Sequence, residues 1–278
     1  MTHSRKRSIA KILLRSLGLS KYLLKAYPVA VENVFPNVTR ERIDSLRQLF
    51  PLKVSNGVSW KRFGSQGDGG YLLSDDISES DICISLGIGD NYSFDLDIAK
   101  FCERVLMFDH TITPPELLSP NMVFEKVGIS TVGSEDFTTI EKIVSNLPPE
   151  NDLILKIDVE GAEWEVLESI SLETLGRFRQ IAAEFHNLHA IHSTKHFERI
   201  VASLSKLSQT HSLSNLHINN WASYQLVAGV PLPDVVEVTY IRRVSQTGER
   251  FNLGLSLNQS NNTDLFDAAS SFIYVIEV

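Results

Sequence analysis

The chain has 278 residues, a length that suits one large α/β domain or two small ones. Hydrophobic residues make up 43% and the formal net charge is −8, which fits a soluble globular protein and argues against a nucleic-acid-binding surface, since that needs a basic footprint. The two cysteines, Cys83 and Cys102, lie in apolar surroundings and form no disulfide framework, so they read as reduced, in a cytoplasmic protein.

Residues 1–31 carry seven cations, from Arg5 to Lys25, and no acid before Glu32; the remainder holds 19 basic and 34 acidic residues, a net −15. Ile9, Ile12, Leu13, Leu17, Leu23 and Leu24 recur near helical spacing among these cations. A basic amphipathic helix of this kind either touches an anionic membrane surface or packs on the acidic body. Arg15 interrupts the apolar run, so it is a poor secretory signal, and no stretch approaches the length of a membrane span. Residues 37–50 form a second helix, with Ile43, Leu46, Leu49 and Phe50 on one side, ended by Pro51. We read residues 1–50 as an extension and 51–278 as one domain.

Within that domain, residues 63–70 read as a glycine-rich loop. Strands follow at 82–86, 105–108, 122–127, 153–157 and 180–185. Helices are expected around Phe94–Phe101, Phe137–Leu147, Trp164–Ile170 and Phe197–Leu207. Late strands are expected at 214–219, 235–241 and 271–278. This alternation implies a mostly parallel sheet with helices on both faces. The late strands lack helices between them, so they end the sheet as an antiparallel pair. The long connection from Asn220 to Asp234, with Trp221 and Tyr224, reads as a lid or substrate loop.

Two regions carry chemistry. Gly87-Ile88-Gly89-Asp90 follows the first strand and opens a helix, a setting in which glycines let a ligand approach the backbone. Asp109 ends the next strand, where an acid accepts hydrogen bonds from ribose hydroxyls. The dinucleotide pattern wants a third glycine where Tyr92 stands, which weakens a nicotinamide reading. The second region is a set of polar pairs at strand ends: Asp158 and Glu160, Glu184 and His186, His217 and Asn219. Alternate strand residues share a face, so the pairs converge beside the cofactor. Asp158, Glu160, His186 and His217 are candidates for general base catalysis. Asp158, Glu184, His186 and His217 alternatively form a ligand set for magnesium or manganese. Glu160 also fits as an acid at the start of the next helix.

Four patches resemble the FkbM-like family of S-adenosylmethionine-dependent methyltransferases: Asp68-Gly69-Gly70-Tyr71-Leu72-Leu73, residues 85–95, Leu155-Lys156-Ile157-Asp158-Val159-Glu160-Gly161-Ala162-Glu163-Trp164, and His217–Asn220 with residues 233–240. The resemblance implies a Rossmann-like class I methyltransferase fold with a seven-stranded sheet. It implies S-adenosylmethionine on Gly87, Gly89 and Asp90, with the ribose near Asp109 and with Asp68 and Tyr71 on a cofactor-side loop. It further implies methyl transfer to oxygen, with a sugar, glycan or secondary-metabolite hydroxyl as acceptor. The rival readings are a nicotinamide-dependent oxidoreductase and a non-enzymatic nucleoside-binding module on a membrane surface.

Overall fold

The computed structural model describes residues 29–30, 36–51, 58–219, 222–228 and 230–243. Most of the basic segment, Trp221 and the strand expected at 271–278 lie outside the described residues.

A seven-stranded sheet organises the fold. Its strands are β4 (Ile82–Leu86), β5 (Arg104–Phe108), β6 (Met122–Glu125), β9 (Leu153–Ile157), β10 (Phe178–Phe185), β11 (His211–Ile218) and β14 (Val236–Arg242). In space they run β11-β14-β10-β9-β4-β5-β6. β6, β5, β4, β9 and β10 pair in parallel, whereas β14 is antiparallel to both β10 and β11. The expected antiparallel element is thus one reversed strand set between two of the opposite direction. The result is a Rossmann-like α/β sheet of the class I methyltransferase type.

Every residue of β4 and of β9 is buried, because both sheet faces are covered. Side-chain alternation divides the interior into two cores. Ile82, Ile84, Leu86, Leu153, Leu155 and Ile157 face one side. There they meet α1 (Pro36–Leu49), α3 (Ile140–Ser145), α4 (Glu163–Ser169), α5 (Leu172–Arg177) and α6 (Thr194–Thr210). Cys83, Val105, Met107, Ile154 and Ala182 face the other side, against α2 (Ser93–Ile98) and a hairpin of β2 (Trp60–Gly64) and β3 (Gly70–Ser74).

Helix α1 shares the first core. Ile43, Leu46 and Phe50 are buried in it, each such side chain contributing about 1.5–3 kcal/mol. Arg42 Nη1 donates to the carbonyls of Ile191 and His192, both at 2.8 Å, and its guanidinium lies 5.2 Å from the Phe197 ring centre. The boundary expected at residue 50 therefore separates no cores.

Other differences are local. The glycine-rich stretch expected as a loop at 63–70 is the tip of the β2–β3 hairpin, with Phe63 and Tyr71 paired and both buried. The connection expected as a lid contains a hairpin, β12 (Tyr224–Val227) with β13 (Val230–Pro233), and β1 (Val29–Ala30) pairs in parallel with β12. Phe137 sits in a short strand, β8 (Phe137–Thr138), paired with β7 (Gly128–Ile129). The helix starts after it because the Thr139 side chain caps the Lys142 amide at 3.2 Å. α5 and the short 3₁₀ turn Leu188–His192 were not expected from periodicity.

Gln180 fixes the β2–β3 hairpin to the sheet. Its side chain accepts from Ser74 N at 2.8 Å and donates to Ser74 O at 3.1 Å, and it is almost fully buried. Gln180→Ala strands a buried donor and a buried acceptor on β3. We expect a loss of about 2–4 kcal/mol in urea unfolding; a loss under about 0.5 kcal/mol, the level of a neutral surface change, rejects this anchoring role.

Candidate active site

The carboxyl ends of β4, β5, β9, β10 and β11 lie along one edge of the sheet. At β4 the chain turns through Gly87 (φ +74°) and Gly89 (φ +60°). A Cβ on Gly87 would lie 1.7 Å from the carbonyl oxygen of Asp158, so only glycine lets the loop pass β9. At Gly89 a Cβ would meet nothing within 4 Å. One glycine is packed against the next strand; the other faces open space.

Asp109 braces this loop. Oδ2 accepts from the amides of Ile88 at 2.8 Å and Gly89 at 3.0 Å, and Oδ1 from the Thr111 amide at 2.7 Å and hydroxyl at 2.6 Å. Burial pushes the carboxyl up, but these four bonds outweigh it and hold the group down at about 2. A carboxylate offers about four lone-pair directions, and all are taken. Asp109, expected from sequence beside the ribose, thus supports the loop from beneath. Asp68 docks through its backbone: its carbonyl accepts from Asn91 Nδ2 at 2.9 Å. Asp90 is exposed.

Tyr71 is not on the glycine loop. From β3 its hydroxyl donates to Asp158 Oδ2 at 2.8 Å and lies 3.3 Å from Glu184 Oε2. Burial first, then the charges of Asp158 and Glu184, push this phenol well above its ordinary range, so it stays a neutral donor. Glu184 accepts from Asn219 Nδ2 at 2.8 Å. Burial, then Asp158 and Glu237, push its carboxyl up to about 8.

Glu163 is the residue that sequence reasoning missed. It is fully buried in the first turn of α4. Its carboxylate accepts from the amides of Val159 at 2.9 Å and Gly161 at 3.1 Å, and Oε1 lies 3.1 Å from His186 Nδ1. The chain wraps it by placing Glu160 at φ +53° and Gly161 at φ +107°. The helix-start acid is therefore Glu163, and Glu160 is 87% exposed beside His186, its Oε2 3.5 Å from Nε2. Trp164 Nε1 donates to the His186 carbonyl at 2.8 Å. Two consecutive residues of α4 thus hold both the ring and the backbone of His186. Burial draws the imidazole down, but Glu163, Glu184 and Asp158 together raise it to about 9. The sequence signal was present: an acid directly before a tryptophan on an inward-facing helical turn.

Asp158, Glu160 and His186 each offer one ligand atom within 4.8 Å of the others. His217 does not join them. Its Nδ1 lies 3.4 Å from Glu237 Oε2, and the cross-strand row runs His217, Glu237, Glu184, which puts it two strands and roughly 10 Å from Glu184. The four residues expected from sequence as a metal set are therefore not all brought together: Asp158 and His186 group with Glu160, Glu184 lies 3.9 Å from His186 Nε2, and His217 stands apart.

Glu184 and His186 both bind their protons more tightly folded than unfolded, so stability falls as pH rises. The Glu184 contribution is complete below its ordinary value of 4.5 and is lost as pH climbs through about 8; that of His186 is complete below 6.5 and is lost through about 9. Melting temperatures across this window should decline, and Glu184→Gln should flatten the lower part of the decline. A wild-type slope in Glu184→Gln would reject the assignment.

Solved structures with the same kind of fold are distant. A Streptococcus mutans protein described as a methyltransferase, in complex with SAH, is 12% identical with a TM-score of 0.34, over 60% of this chain and 89% of that one. An rRNA methylase from Streptococcus thermophilus gives the same four values. A dimethyladenosine transferase from Plasmodium falciparum is 10% identical with a TM-score of 0.34, over 60% and 57% of the two chains. Likenesses this remote add nothing to what the strand order establishes. No curated protein matches the chain. The family model of the methyltransferase FkbM domain matches residues 79–238, from just before β4 into the first residues of the reversed strand β14 and across every residue of the polar cluster but Tyr71. The chain belongs to the FkbM methyltransferase family.

Proposed function

We propose that this methyltransferase uses S-adenosylmethionine and methylates a hydroxyl oxygen of a sugar, glycan or secondary metabolite. The observation that carries the reading is the packing of Gly87 on the backbone of Asp158. It makes the glycine loop and the carboxylate cluster immediate neighbours. The open side of Gly89, with no atom within 4 Å of a Cβ built there, fits close approach of a cofactor to the backbone. When bound, the cofactor supplies an activated methyl group on a cationic sulfur.

The chain's own residues have two tasks in this reading. One is alignment of the acceptor, which is worth on the order of 7–11 kcal/mol in favourable cases. The other is removal of the hydroxyl proton as the new carbon–oxygen bond forms. Asp158 is the base we assign. Tyr71 and Lys156 both hold its Oδ2, and Oδ1 accepts no hydrogen bond among the described residues. The side chain is 23% exposed, so an acceptor can reach it. His186, cationic at neutral pH by its raised affinity for the proton, donates from Nε2 to a second acceptor oxygen. Glu160, at the exposed rim, accepts from a further hydroxyl. Two carboxylates and one donor within 4.8 Å of one another suit a polyhydroxylated acceptor.

A second reading adds a divalent cation, magnesium or manganese. Asp158, Glu160 and His186 favour it, because Glu163 holds Nδ1 and leaves Nε2 to face the two carboxylates. Such an ion would polarise the acceptor hydroxyl. A cytoplasmic location, with the basic N-terminal stretch on a membrane surface, belongs to the same proposal and rests on composition alone. No described helix is long and apolar enough to cross a membrane.

Calorimetry should show micromolar binding of S-adenosylhomocysteine and none of NAD; the reverse rejects the cofactor. With an acceptor found by a labelled-methyl screen, Asp158→Asn should lower kcat by about 10²-fold or more while still melting cooperatively, and wild-type turnover sinks the assigned base. Exhaustive chelation should stop turnover, and manganese or magnesium should restore it, if the cation reading holds; full activity after verified metal removal eliminates that reading.

A further inference from the structure

Lys156 is a buried cation in an otherwise apolar strand, its side chain 5% exposed. Burying an ammonium is costly unless it is paired. Its surroundings show how this one is paired. Nζ donates to the carbonyl oxygen of Gly87. It also lies 3.5 Å from Asp158 Oδ2. Nζ is 5.4 Å from the centre of the Tyr71 ring, whose hydroxyl holds the same Asp158 oxygen. Below it, Ser85 stands directly opposite on β4, and the buried Asp95 of α2 feels its charge.

Balancing Asp95 alone would explain a lysine here, but not its aim. The ammonium points along β9 to the first glycine of the loop and to the carboxylate two residues on. The Gly87 carbonyl belongs to a turn that is also held by its own amide, which donates to Phe108 O at 3.0 Å, and by the side chain of Asp109, which follows β5, two strands along the sheet from β9. Lys156 therefore supplies on the β9 side what Asp109 supplies on the β5 side.

We propose that Lys156 is a positioning residue that ties the cofactor loop to Asp158, so that one ammonium sets the place of the Gly87 carbonyl and of the Asp158 carboxylate together. Loss of the ammonium removes this donor from the Gly87 carbonyl and leaves the Asp158 carboxylate to Tyr71. The inference rests on the glycine loop being the cofactor site.

The test needs no acceptor. Binding of S-adenosylhomocysteine is measured by calorimetry for wild type, Lys156→Met, Lys156→Gln and Ile154→Ala. The last variant cavitates the same strand on the same face without touching the loop. Both Lys156 variants should weaken binding by about tenfold or more, the scale of a lost charge-assisted hydrogen bond. Ile154→Ala should change it by less than about twofold at a comparable loss of melting temperature, as expected of a distant, independent site. Lys156→Met with Asp158→Asn should bind no more weakly than Lys156→Met alone, because the carboxylate reaches the loop only through the ammonium. Wild-type affinity in a folded Lys156 variant overturns the proposal. So does an equal loss in Ile154→Ala, or losses that multiply in the double variant. Should Lys156→Met not fold, Lys156→Gln and Lys156→Met with Asp95→Asn, which removes the stranded carboxylate, carry the comparison. Failure of the wild type itself to bind would instead reject the cofactor reading.

Discussion

A carboxylate without access to water organises the site. Glu163 is fully buried, and an ionised group in that position is tolerable only if its lone pairs are filled. Two backbone amides and the His186 ring fill them. To bring those amides around, the chain after β9 must turn sharply, and two successive residues take left-handed backbone angles. That turn aims Asp158 along the sheet edge, swings Glu160 outward and fixes which nitrogen of His186 faces the opening. The site's geometry follows from satisfying one buried charge.

The same economy runs across the sheet edge. Among the polar groups on the hairpin-covered face, Lys156, Tyr71, Gln180 and Thr239 each reach main chain or carboxylate on a neighbouring element. A helix over this face would offer no backbone groups to meet them. A β-hairpin does: Ser74 bonds Gln180, and the Leu72 carbonyl accepts from Thr239. The hairpin therefore delivers Tyr71 to Asp158 and Glu184 from a support that is itself hydrogen-bonded to the sheet.

The central sheet was legible because its strands are short apolar runs punctuated by glycine and proline, and both faces are buried. Asp158, Glu184 and His186 were legible as polar residues ending such runs. The β2–β3 hairpin was not, because its glycines at 64, 67, 69 and 70 read as loop when they only shape a tight tip. His217 misled for a geometric reason. Its place at a strand end is real, but β14 lies between β11 and β10 and moves it out of reach. Glu163 was hidden by the helix rule that acids near a start are solvated and serve the dipole. Its place directly before Trp164 was the one signal that it points inward.

The reversed direction of β14 has a consequence for how the protein can change. Because it runs against β10 and β11, its first residue, Val236, sits at the edge where they end, level with Phe185 and Ile218. The connection from the end of β11 to the start of β14 therefore stays at the site edge, and the β12–β13 hairpin is what it carries there. Residues can be added or removed in that insert without shifting the register of any of the seven strands. The turn through Gly87 and Gly89 has no such freedom, being pinned on both sides. The two connections are thus tied to the body in different ways: the glycine turn by its own backbone against β9, the insert by the side chains of Val227 and Leu232 in the helix-covered core.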